Sequence, residues 1–244
     1  MCPRRLWFVG LLAVMTVLAL PSPASAVPAF ADGFENAASV SELLRPDRWS
    51  YVQRTHQGSD IRLSTEHVHS GAQAIRFFGP ASAHSPTLTK ADIGKNGITF
   101  LLGQTVEVDA WFYFESAPDL NDIFLIDAEC GGCGVQSPGA RVMLAHGHPV
   151  VERGELGPFN TITQNEVRVP LQRWFRLTYR LKLGLGPLGH VKLWVDGLKV
   201  IDRAGTTVFA GGGFVDNFQV GLTANPSTGD AVLFVDDVTI NRIA

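Results

Sequence analysis

Apolar and polar residues alternate with a period of two along most of this chain, the spacing that turns one side of a β-strand to a core and the other outward. In TVEVDAWFYFE (105–115), Val106, Val108, Ala110, Phe112 and Phe114 make one face, and Glu107, Asp109, Trp111 and Tyr113 the other. In RWFRLTYRLKL (173–183), Phe175, Leu177, Tyr179, Leu181 and Leu183 alternate with Trp174, Arg176, Thr178, Arg180 and Lys182. HVKLWVDG (190–197) repeats the pattern and turns at Asp196-Gly197 into LKVID. An Asp-Gly pair between alternating runs is a hairpin signal, because both positions of the tight turn need positive φ. NFQVGLTA (217–224) and AVLFVDDVTINRI (231–243) read as further strands, and only SVSELL (39–44) has helical spacing. One or two helical turns cannot supply the crossovers of a parallel sheet. The pattern therefore predicts an all-β antiparallel sandwich or barrel.

The N-terminus reads as an export signal. Arg4 and Arg5 precede an apolar run, Leu6 to Leu20, and Ala24-Ser25-Ala26 forms a small-residue cleavage site. The expectation is a signal peptide over 1–26 and a single domain over 27–244, secreted to an extracellular or periplasmic space. The apolar run meets Pro21 and Pro23 too early to anchor a membrane, so no membrane span is expected in the mature chain. A net charge of −3 without a basic run excludes a nucleic-acid footprint. Cys2 leaves with the signal, so Cys130 and Cys133 remain. In an oxidising compartment such a pair is a disulfide candidate. Gly131, Gly132 and Gly134 argue against the helix of a redox motif, and zinc would need two further ligands.

The chemistry-bearing stretch is FLIDAECGGCG (124–134). Leu125, Asp127 and Glu129 lie two apart, which predicts one row on one face of a strand.

The order of these parts resembles the concanavalin A-like jelly-roll superfamily, which contains laminin-G-like modules, laminarinase-type glucanases and secreted polysaccharide lyases. The resemblance is carried by FADGFE (30–35), a Trp at 49, HVHSGAQAIRFF (67–78), VEVDAWFYFE (106–115), the 173–201 strand pair and LFVDDVTI (233–240). It implies an antiparallel two-sheet jelly-roll sandwich with a concave groove. It also implies a structural Ca²⁺ held by Glu35, the carbonyl of Gly71 and Asp236; strand alternation turns Asp237 to the opposite face unless a bulge intervenes. The groove implied by the resemblance takes Trp111, Tyr113, Asp127 and Glu129 from two strands of the concave sheet, with Arg141 nearby, and its partner is a polysaccharide or glycan. Glucanases of this type carry Glu-x-Asp-x-Glu where this chain has Leu125-x-Asp127-x-Glu129, so the attacking carboxylate is replaced by leucine. That argues against glucanase hydrolysis. A polysaccharide lyase is the enzymatic alternative, with Tyr113, Arg141 and His146 (or His148) as candidate groups and Arg153 in VVERGE (150–155) on a lyase-like strand. A structural or adhesive envelope module is the third reading.

Overall fold

Strands form where the alternation predicts them. The computed structural model describes residues 29–81, 88–118, 120–133, 139–153, 156, 161–162, 166–209, 212–225 and 229–243. The expected signal over 1–26, and Gly154 and Glu155 of VVERGE, lie outside them. In chain order the elements are β1 (Phe30–Asp32), α1 (Val40–Leu43), β2 (Tyr51–Arg54), β3 (Asp60–Ser64), β4 (Ala74–Gly79), β5 (Thr89–Leu101), β6 (Thr105–Ser116) and β7 (Ile123–Glu129). There follow β8 (Ala140–Ala145), β9 (His148–Glu152), β10 (Thr161–Ile162), β11 (Phe175–Lys182), β12 (His190–Val195), β13 (Leu198–Ala204), β14 (Phe214–Asn225) and β15 (Ala231–Ile243).

They make two antiparallel sheets. The first runs β13-β12-β11-β6-β15-β4-β3, with β1 also paired to β15, and the second runs β10-β9-β8-β7-β14-β5-β2. The core lies between them. Val106, Val108, Ala110, Phe112 and Phe114 of β6 face it, as do Phe175, Leu177, Tyr179 and Leu181 of β11 and Phe218, Val220 and Leu222 of β14. Tyr179 satisfies its hydroxyl there by donating to the Ala140 carbonyl at 3.2 Å. The hairpins follow the turn chemistry: Asp196 and Gly197 have φ of 49° and 81°, and His146 and Gly147 have 52° and 81°. α1 is the single helical turn expected near 39–44. Among the described residues, no helix is long and apolar enough to cross a membrane.

The sheet assignment corrects one expectation. The 105–116 and 123–129 strands do not share a sheet, because β6 pairs with β11 and β15 whereas β7 pairs with β8 and β14. Their outward faces therefore lie on opposite sides of the sandwich.

Candidate functional site

The outer face of the second sheet gathers several buried polar residues, Asp92, Asp127 and Gln219 among them. A bulge in β7 decides which residues reach it. Phe124 pairs with Met143 and Ile126 with Val142, so Leu125 is the extra residue between two ladder positions. A bulge lets two successive side chains point the same way. Leu125 and Ile126 both enter the main core, while Phe124 joins Met143, Val150 and Ala224 in a small outer cluster. The expected Leu125-Asp127-Glu129 row is thus broken: the outward residues are Phe124, Asp127 and Glu129.

Around them the neighbouring strands converge. Arg141 lies opposite Asp127, and Glu152 opposite Arg141. The Arg141 guanidinium donates to Glu152 Oε2 at 2.9 Å through Nε, with Nη2 at 2.8 Å from the same oxygen, and lies 4.1 Å from the Phe124 ring centroid. It is 3.6 Å from Asp127 Oδ1, outside hydrogen-bond range. Gln219 and Asn217 of β14 donate to Glu129 Oε2 at 2.8 and 3.1 Å. Tyr51 of β2 donates to Asn217 Oδ1 at 2.8 Å, and its ring crosses Gly94, where any Cβ would overlap it. With its amide turned so that the nitrogen faces β5, Gln53 donates to the Asp92 oxygens at 3.0 and 3.2 Å, and Gly221 of β14 pairs with Asp92.

Asp127 is the unusual member. It is 0 % exposed, and neither carboxyl oxygen has a hydrogen-bond partner among the described residues. The Thr223 hydroxyl lies beside it and draws its carboxyl down slightly, without reaching hydrogen-bond geometry. Burial pushes the Asp127 carboxyl up to about 7 against the pull of Arg141, and Glu129 adds to the rise. Burial likewise raises Glu129, opposed by Lys90 and Arg141, and raises Asp92 well above the usual carboxylate range. Tyr51 is raised too, chiefly by burial, so it stays a phenol. The result is an enclosed carboxyl cluster, partly protonated near neutrality, rimmed by half-buried hydrogen-bonding groups.

The other expected residues fall elsewhere. Trp111 and Tyr113 lie on the outer face of the first sheet, and the turn before β4 covers them. His69 stacks on Trp111 with ring centroids 3.8 Å apart, His67 stacks on Tyr113 at 4.2 Å, and Trp174 closes the group. They share no groove with Asp127, Glu129 and Arg141. His146 is exposed on the β8–β9 hairpin, so Tyr113, Arg141 and His146 are not brought together. The His148 ring contacts the Val167 carbonyl at 3.0 Å and accepts from Arg168 at 3.1 Å. Arg153 is buried and donates to the Thr206 carbonyl at 2.8 Å, away from the outer face. Cys130 and Cys133 are paired, with Cα atoms 5.5 Å apart.

Glu35 and Asp236 both bond the 69–73 turn that holds Gly71. The Glu35 carboxylate sits over Gly71, where a Cβ would overlap it, and accepts from the Ala72 and Gln73 amides at 2.9 and 3.1 Å. Asp236 accepts from the His69 and Ser70 amides at 3.0 and 3.1 Å. A bulge between Asp236 and Thr239, with Asp237 at φ 51°, turns both aspartates toward this turn. Asp237 bonds the His69 ring at 2.7 Å and accepts from the Ser70 hydroxyl at 2.8 Å, so the opposite-face expectation for it is corrected. Burial, with repulsion from Asp237, pushes Asp236 up to about 6. Both carboxylates accept from backbone amides here, and among the described residues no group of three or more His, Cys, Asp or Glu side chains could hold a metal ion.

No family model and no curated protein matches the chain. Solved structures do. It superposes on an endo-beta-1,4-glucuronan lyase from the fungus Trichoderma reesei with a TM-score of 0.69 at 18% identity, covering 89% of this chain and 96% of that one. The fold is the jelly-roll sandwich. The cellulose induced protein Cip1 aligns with a TM-score of 0.62 at 16% identity over 86% of this chain and 96% of its own. The marine PL-14 alginate lyase from Aplysia kurodai aligns at 0.60 and 14% identity over 89% of this chain and 100% of its own.

The site residues that the sequence pattern does not disclose are Tyr51, Gln53, Asp92, Asn217 and Gln219. The alternation Asn217-x-Gln219 is visible in the sequence, but no signal there places β14 between β5 and β7.

Proposed function

We propose that this protein is an exported polysaccharide-binding protein that holds its ligand on the outer face of the second sheet. The carrying observation is Asp127, fully buried with no hydrogen bond to either carboxyl oxygen among the described residues, beside the Arg141 guanidinium and within a rim of amides and a phenol. A buried polar group without a partner costs stability, so a site that retains one is suited to a ligand that supplies hydroxyls. Export is supported by the signal-like N-terminus and the Cys130–Cys133 pair. The likeness to lyases named for glucuronan and alginate supports the ligand class. The test is a glycan array on the mature chain, followed by titration of Asp127→Asn and Arg141→Ala. Loss of a bound glycan in both variants, with folding intact, supports the reading. Unchanged binding in both overturns it.

A second reading, β-elimination on a uronic-acid polymer, is favoured by the Asp127 carboxyl, which titrates near neutrality. Arg141 faces the uronate carboxylate, Asp127 as carboxylate takes the C5 proton, the electron pair closes a C4–C5 double bond as the C4–O bond breaks, and the Tyr51 phenol protonates the departing oxygen. Ultraviolet absorbance of the unsaturated product, on incubation with glucuronan or alginate, separates this from binding alone.

A further inference from the structure

A second cluster of charge lies on the opposite sheet. The outer face at the β11–β12 edge holds a pocket of about 360 Å³ lined by Thr105, Arg180, Lys182, His190, Lys192 and Ile243. Arg180 stands directly opposite Lys192, and Lys182 directly opposite His190. Like charges in directly opposed positions destabilise a sheet; on their other sides Arg180 stands opposite Glu107 and Lys192 opposite Asp202, while Lys182 has only Thr105. Two of the four are fixed by carboxylates. Arg180 donates to Glu107 and lies 5.0 Å from the Trp194 ring centroid, and His190 bonds Asp202, which also takes Lys199. Lys182 and Lys192 have no ion pair within 4 Å among the described residues. Three permanent cations, Arg180, Lys182 and Lys192, therefore line a pocket bordered by two carboxylates, Glu107 and Asp202, in a chain whose net charge is −3.

We propose that this pocket is a second binding site, for the carboxylate or sulfate groups of an acidic glycan. Alternate residues on a strand lie about 6.6 Å apart and neighbouring strands about 4.8 Å, so the cations form a grid that several oxyanions fill together. Successive sugars of an acidic polymer present such a series, and neutralising the opposed cations removes their repulsion. The site is on the other sheet from Asp127, so it stands or falls separately from the groove.

The experiment is calorimetric titration of the mature chain with an alginate hexasaccharide and with a neutral cello-oligosaccharide, at low and high salt. The expected result is a salt-sensitive site for alginate that weakens tenfold or more in Lys182→Gln/Lys192→Gln, with the melting temperature unchanged or raised because repulsion is relieved. Lys182→Arg/Lys192→Arg keeps the charge and keeps the site. If the groove reading fails but this one holds, wild type shows one alginate site and the glutamine variant none. Equal alginate binding by wild type and glutamine variant overturns the proposal, as does equal occupancy by the neutral sugar. Binding to anionic phospholipid vesicles that the glutamine pair abolishes, without alginate binding, also overturns it.

Discussion

Asp127 and Cys130 show how one strand end concentrates consequences in single residues. Asp127 carries its proton to about pH 7 in the folded chain, against about 3.9 for an unfolded aspartate. Between those values the folded state binds more protons than the unfolded one, so stability falls as pH rises through this window. Holding the proton that far above the ordinary aspartate range costs the folded state at most about 4 kcal/mol at alkaline pH, and coupling to Glu129 spreads that cost over the pair. Asp127→Asn should therefore exceed wild type in stability at pH 8, with the gap shrinking toward pH 4, as urea denaturation at each pH will measure. A gap that is constant with pH would mean the carboxyl ionises normally. Cys130 follows Glu129, and its bond to Cys133 closes a very short loop. Unreduced protein should titrate no free thiol, and reduction should cost little, at or below the low end of the usual ~2–4 kcal/mol.

At the scale of elements, β7 explains what the sequence could and could not disclose. Its apolar residues announced a strand, and the alternation of β6, β11, β12 and β15 put the right side chains in the core. Periodicity names the face of a strand but not its neighbours, so it could not tell that β6 and β7 sit in different sheets. Nor does it register a bulge, which shifts the phase within one strand without changing composition. β5 hid its face for another reason: Lys95 turns inward and donates to the Arg48 carbonyl, which blurs the alternation that would have marked Asp92 as outward. The bulge makes a prediction. Leu125→Ala should cost about 2–5 kcal/mol, the range for emptying a core leucine site. Leu125→Glu should unfold the chain by burying a charge rather than complete an acidic row. Phe124→Glu, on the outer face, should fold and place a third carboxyl beside Asp127. Thermal melts of the three variants separate the possibilities, and a folded Leu125→Glu would refute the bulged register.

Across the whole molecule the decisive junction is where the first described strand, β1, meets the last, β15. β1 pairs with β15, Glu35 follows β1, and Asp236 lies on β15, with the 69–73 turn bridging the two carboxylates through backbone amides. This corner closes the first sheet around its central β6–β15 pair. We propose that Ca²⁺ binds here through Glu35, the Gly71 carbonyl and Asp236, which makes closure of the sandwich metal-dependent. A cation that binds only the folded chain stabilises it by about 2.7 kcal/mol at a hundredfold excess over Kd. Because protonation of Asp236 competes with the metal and its carboxyl is pushed up to about 6, the increment should grow from pH 5 to pH 7. Asp236→Ala should lower the melting temperature by losing its amide bonds and should also abolish the calcium increment. Asp237→Ala, which removes the bonds to the His69 ring and the Ser70 hydroxyl, should lower it while leaving an increment. Melting curves of the three chains in calcium and in chelator decide it. Superimposable wild-type curves would leave the corner as a hydrogen-bonded clasp, in which the backbone amides alone hold the two carboxylates and tie the first strand to the last.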